Sequence, residues 1–62
     1  MYVYEVVNTE TGAGGCITSM FPDLERGVIV RHKAYHLRIE SRAMSYKAAL
    51  DNERLALLPV FD

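Results

Sequence analysis

Tryptophan is absent from this 62-residue chain, cysteine occurs once and proline twice. A single cysteine excludes an intrachain disulfide framework and fits a reducing compartment. Two prolines and four glycines exclude collagen-like and proline-rich segments. Neither sign of charge dominates: seven Lys and Arg stand against eight Asp and Glu, and 50% of the residues are apolar. That composition is too apolar and too nearly neutral for a disordered tail. Long hydrophobic runs are missing as well. The longest, such as residues 55–58, span a few positions and fall far short of a membrane crossing. Residues 1–5 carry no basic segment leading into an apolar stretch, so no secretory leader is expected there. The expectation is a cytoplasmic protein with a single small domain over residues 1–62.

A folded chain of this length buries only about 60% of the surface its unfolded form exposes. With two Phe, four Tyr and no Trp, its core must be built from Val, Ile, Leu, Met and Ala. Such a core supplies roughly 3–5 kcal/mol without a staple, which makes docking on a partner, or on a second copy as a homodimer, a natural source of further stability.

Charge is laid out in blocks. Residues 1–25 contain Glu5, Glu10, Asp23 and Glu25 and no Lys or Arg. Residues 26–47 contain Arg26, Arg31, Lys33, Arg38, Arg42 and Lys47 against Glu40 alone, and residues 48–62 return to acid with Asp51, Glu53 and Asp62 against Arg54. An acid–base–acid layout either neutralises itself in the fold or presents one sign to a partner.

Residues 2–7 are rich in β-branched and aromatic side chains and predict a strand. The Asn-Thr-Glu-Thr-Gly-Ala-Gly-Gly stretch that follows, residues 8–15, is the strongest loop signal in the chain. Residues 16–21 predict a returning strand, punctuated by Pro22-Asp23. Residues 28–32 and 35–40 predict a hairpin. Pairing Val30 with Leu37 and Val28 with Ile39 collects four apolar side chains on one face and leaves Arg31, Lys33, His36 and Arg38 to the other. The turn His32-Lys33-Ala34-Tyr35 lacks the usual Gly, Asn or Asp. A competing reading therefore places an N-terminal β-hairpin before one long helix over 33–58, along which Tyr35, Ile39, Ala43, Tyr46, Leu50 and Leu57 form a stripe. In the first reading a helix spans about 42–57, capped by Ser41 or Ser45 and stopped by Pro59. Val60-Phe61 then covers the core or adds to a sheet edge. The expected class is α+β: an antiparallel sheet of three or four strands with one helix packed across it.

Chemistry-bearing motifs are few. Gly12-Ala13-Gly14-Gly15 lacks the lysine and the following helix of a phosphate loop, and Cys16-Ile17-Thr18 after it is strand-like. His32 and His36 with Cys16 offer three metal ligands where a structural zinc site wants four, and there is no Cys-x-x-Cys pair. Cys16 reads as a small buried hydrophobe. Without a carboxylate pair or nucleophile–base signature, neither enzymatic activity, metal nor cofactor is expected.

The basic segment stands above this background. Arg31, Lys33, His36, Arg38 and Arg42, with Tyr35 and Tyr46, combine charge with aromatic area. They are the expected partner-binding residues, the cations steering and the tyrosines anchoring. A pI near 6.0 disfavours a nucleic-acid regulator, whose domains usually exceed about 9, and favours a protein partner with an acidic surface. In size and in its lack of a catalytic constellation the chain is similar to the small stand-alone inhibitors that bacteriophages encode, anti-CRISPR proteins among them. That likeness is one of class, and no residue is carried over from it.

Overall fold

The alternating Tyr-Val-Tyr-Glu-Val-Val-Asn of β1 (Tyr2–Asn8) sends side chains to two apolar environments, so this strand lies inside the sheet and not at its rim. In the computed structural model, which describes residues 1–61, β1 pairs antiparallel with β2 (Gly14–Ser19), from Tyr2 opposite Ser19 to Val7 opposite Gly14. The loop is shorter than the 8–15 its sequence suggests and the strand after it is shifted from 16–21: Asn8 ends β1, Gly14 and Gly15 open β2, and Met20 and Phe21 fall beyond it, leaving residues 9–13 as the turn. Asn8 Oδ1 accepts hydrogen bonds from the backbone N–H of Glu10 and Thr11 at 2.8 and 3.3 Å, and Gly12 takes φ +77°.

The other side of β1 is shared. Its C-terminal half pairs with β4 (Tyr35–Ile39), and its N-terminal residues Tyr2 and Val3 pair with the short β5 (Met44–Ser45). In the gap between these two partners Glu40 N–H donates to the Glu5 carbonyl at 2.8 Å, and the Ser41 hydroxyl accepts from Glu5 N–H at 2.9 Å. A side-chain oxygen thus stands in for a carbonyl of the ladder. Outside β4 lies β3 (Ile29–His32), giving the order β2-β1-β4-β3 with β5 beside β1.

The hairpin reading of residues 28–40 holds, and so does its register: Val30 faces Leu37, and Val28 and Ile39 are joined by an Ile39 N–H to Val28 carbonyl bond of 2.8 Å. The chain enters β3 through a turn closed by Val28 N–H to Glu25 carbonyl, with Gly27 at φ +89° donating to Ile39 carbonyl at 2.7 Å. Only glycine takes that backbone region freely. At the other end Lys33 occupies φ +55° in the two-residue turn. That left-handed conformation costs a side-chain-bearing residue roughly 1–2 kcal/mol. Lys33→Gly is therefore expected to raise stability by about 1 kcal/mol in urea denaturation, and a lowered midpoint would contradict this account of the turn.

The single helix over 42–57 does not form, nor does the longer one over 33–58. Residues 44–45 join the sheet, and two short helices follow, α1 (Tyr46–Leu50) and α2 (Glu53–Ala56). Ser45 caps α1 by accepting from Ala48 N–H at 3.1 Å, and Asn52 caps α2 by accepting from Leu55 N–H at 3.2 Å. The interruption at Asp51-Asn52 serves packing. Ala49 and Leu55 are both buried on the same cluster, yet six residues along an unbroken helix would set them about 120° apart.

Each sheet face carries a cluster. On one, Tyr4, Val6, Ile17, Leu37 and Ile39 are buried, flanked by Leu24, Val30 and Phe61. Here the Tyr4 hydroxyl donates to Phe21 carbonyl at 2.6 Å and accepts from Leu24 N–H at 3.2 Å, tying the loop before β3 across the core. On the other, Val3 and Cys16 meet Ala49 and Leu55 of the helices. The chain end does both things its sequence suggested. Val60 bridges Cys16 in parallel on the outer edge of β2, through Cys16 N–H to Pro59 carbonyl and Phe61 N–H to Cys16 carbonyl, each 2.9 Å. The Phe61 ring then crosses Gly15 and packs on Tyr35, with centroids 5.3 Å apart. Among the described residues no helix is long and apolar enough to cross a membrane.

Candidate functional site

Because side chains alternate along a strand, the β3–β4 register sorts the basic residues by face. Arg31 stands directly opposite His36, and Ile29 opposite Arg38, so these four share the hairpin's outer face. Lys33 stands at its tip. All five are exposed, with Ile29 at 58% of its full accessibility, which places an apolar side chain in the middle of a charged surface.

The counter-charges are local. His36 Nδ1 lies 3.4 Å from Glu10 Oε1. Arg38 donates twice to Glu40, at 3.3 and 3.1 Å, and these bonds hold the Glu40 carboxyl below its usual range. Arg31 donates through Nε to the Lys33 carbonyl at 3.4 Å. Among the described residues neither Arg31 nor Lys33 belongs to an ion pair. Within the hairpin, the positive charge without an ion-pair partner among the described residues therefore lies at the tip.

The remaining predicted residues lie elsewhere. Tyr35 pairs with His32, one position out of step with His36, and turns to the opposite face against Phe61. Arg42 sits in the link between β4 and β5 and walls a hollow with Asp23, Glu25 and Arg26. Tyr46 opens α1 on the helical side. The basic–aromatic surface expected from composition thus resolves into a basic patch with an isoleucine at its centre, and the tyrosines supply no area to it.

A second surface is legible in the sequence only through the apolar segment Leu57-Leu58-Pro59-Val60-Phe61, a candidate contact of a homo-oligomer subunit. On the helical face Val3, Cys16, Tyr46, Leu50, Leu55 and Leu58 line a groove of about 260 Å³. Around it Leu57, Leu50, Val60 and Tyr46 are 87%, 62%, 60% and 59% exposed. Treating 42–57 as one helix hid the groove itself. The signal that would have found it is Asp51-Asn52, two residues that favour caps over helix interiors.

Beside this groove Arg54 grips Glu5 with two hydrogen bonds of 2.7 and 2.8 Å. They hold the Glu5 carboxyl below its usual value of 4.5 against the opposing effect of burial. A carboxylate whose folded pKa is depressed adds stability that is present above its unfolded pKa and lost as pH falls through the folded value. Arg54→Met is expected to remove this part of the acid sensitivity, so that urea midpoints of variant and wild type converge below about pH 4. A gap that persists unchanged at low pH would contradict it. Burial, reinforced by the Glu5 charge, pushes the Cys16 thiol up from its usual range, which makes it a poor nucleophile at neutral pH. Comparison with known proteins finds no matching family model, no matching curated protein and no matching solved structure.

Proposed function

We propose that the chain is a small, non-enzymatic protein-interaction module that inhibits or regulates by occupying an acidic surface of another protein through the outer face of the β3–β4 hairpin. The observation that carries this reading is the tip, where Arg31 and Lys33 have no ion-pair partner among the described residues while Ile29 is exposed beside them. Unmatched cations steer association, and an adjacent apolar side chain supplies area that is released from water on contact. Nucleic acid is the poorer fit: Glu40 offsets Arg38 and Glu10 sets a carboxylate beside His36, and the chain as a whole has a pI near 6.0. A second reading, a subunit of a homo-oligomer, is favoured by the apolar rim of the groove on the helical face.

The test is capture from a cell lysate by the tagged protein, with and without nuclease. Wild type should retain a protein at stoichiometric level after nuclease. R31E together with K33E should lose it by tenfold or more, which corresponds to about 1.4 kcal/mol, and R42E, away from the face, should retain it. Equal capture by R31E/K33E and wild type would sink the hairpin as the contact surface.

A further inference from the structure

We infer that β3 is a strand-addition edge, and that its occupant is an extended segment of a partner protein in which acidic and apolar residues alternate; this rests on the reading above. The backbone comes first. In an antiparallel ladder alternate residues bond to the neighbour and the others point away. With Val30 and His32 bonded into β4, the register turns the N–H and C=O of Ile29 and Arg31 outward, four backbone groups in a row without a backbone partner among the described residues. The opposite edge of the sheet is interrupted at its middle, where Cys16 of β2 is paired with Pro59 and Phe61. The uninterrupted edge is β3, and an open edge is a template for another strand.

Side chains specify what that strand carries. On the outer face an added strand runs beside Ile29 and Arg31, with Lys33 at the tip and Arg38 one strand behind, so carboxylates at every second position gain cross-strand partners. On the inner face it runs beside Val28, which is 41% exposed, and Val30. It also borders a pocket of about 250 Å³ lined by Ile17, Phe21, Leu24, Val30 and His32. Phe21 is 63% exposed there, and His32 Nε2 is buried with no hydrogen-bond partner among the described residues. Apolar side chains at the intervening positions cover this row. A second copy of the chain is the poorer occupant, because pairing β3 with itself brings two basic strands together.

The test uses a capped peptide of alternating valine and aspartate, the same peptide N-methylated on the residues that face β3, and an alternating valine–lysine peptide. Amide exchange and chemical shifts of the full chain are followed by NMR. The Val–Asp peptide should slow exchange at Ile29 and Arg31 about tenfold when nine-tenths of the sites are filled. The N-methylated and Val–Lys peptides should not. Binding of the N-methylated peptide as tightly as its parent, or binding that leaves these two amides unprotected, would overturn strand addition while leaving the basic contact surface intact. Protection of the same amides by raising the protein concentration alone would overturn it in favour of self-pairing. Failure of the Val–Asp peptide to bind, with lysate capture still dependent on Arg31 and Lys33, would overturn the inferred partner chemistry. Protection by the peptide with capture indifferent to R31E/K33E would uphold the edge and remove the functional reading.

Discussion

Gly15→Ala should detach the C-terminal segment from β2 and expose Cys16. A Cβ at position 15 would meet the Phe61 ring and would stand 2.7 Å from the Pro59 carbonyl. Gly15 itself is fixed, since β2 is held along β1 from Tyr2 to Val7, so the segment at 59–61 is the part that gives way. Its departure forfeits both hydrogen bonds to Cys16 and the packing of Phe61 against Tyr35. The expected cost is about 2–4 kcal/mol, an overpacking loss plus two unmade bonds. That is most of the roughly 3–5 kcal/mol that a core of this size supplies. Alkylation of the Cys16 thiol at neutral pH should accelerate severalfold as Val60 leaves its flank, with Ala49 and Leu55 still covering its other side. Gly14→Ala is the control: its Cβ would meet nothing nearer than the Val6 carbonyl at 4.0 Å, so it should leave the labelling rate close to wild type. A Gly15→Ala protein with unchanged labelling and an unchanged urea midpoint would show that the segment does not close this edge.

Leu37→Ala should be the most damaging truncation in the hairpin. Leu37 is fully buried and sits in β4 between Val30 of β3 and Asn8 of β1, where its side chain joins the hairpin to the main cluster. Truncating such a leucine costs about 2–5 kcal/mol, enough to leave the chain largely unfolded at room temperature if the upper figure applies. Ile29→Ala, one strand away but 58% exposed, should move stability by no more than about 0.5 kcal/mol. Circular dichroism in urea distinguishes the two. Equal losses from both variants would mean that the outer face of the hairpin is buried in solution.

These two expectations mark what could and could not be read from residues alone. β1 and the hairpin were legible because alternation of apolar and polar side chains is a local property, and one register of residues 28–40 places Val28, Val30, Leu37 and Ile39 together. The same alternation carried Arg31, His36 and Arg38 correctly to one face. Grouping Tyr35 with these cations ran against that alternation, which sends it, next to His36 in sequence, to the opposite face. The helix was misread because the Ala- and Leu-rich stretch over 42–57 suits one helix or two equally well. What decided between them lies far away in sequence: the free edge of β1 at Tyr2 and Val3, which takes up Met44 and Ser45, and the position of Val3 and Cys16 under Ala49 and Leu55. The contact between His36 and Glu10 was invisible for the same reason, since Glu10 comes from a loop 26 residues away. The Tyr35–Ile39–Ala43 spacing that suggested a long helix is met by a strand and the link that follows it.

The most direct test of the account is a hydrogen-exchange footprint of the protein in complex with whatever stoichiometric partner it captures. The account predicts slowed exchange across residues 29–38, greatest at the backbone amides of Ile29 and Arg31, with the amides around Val3, Cys16 and Leu55 unchanged. Slowed exchange confined to residues 46–58 and the strand beneath them, with the hairpin as open as in the free chain, would place the contact on the helical groove and contradict the account.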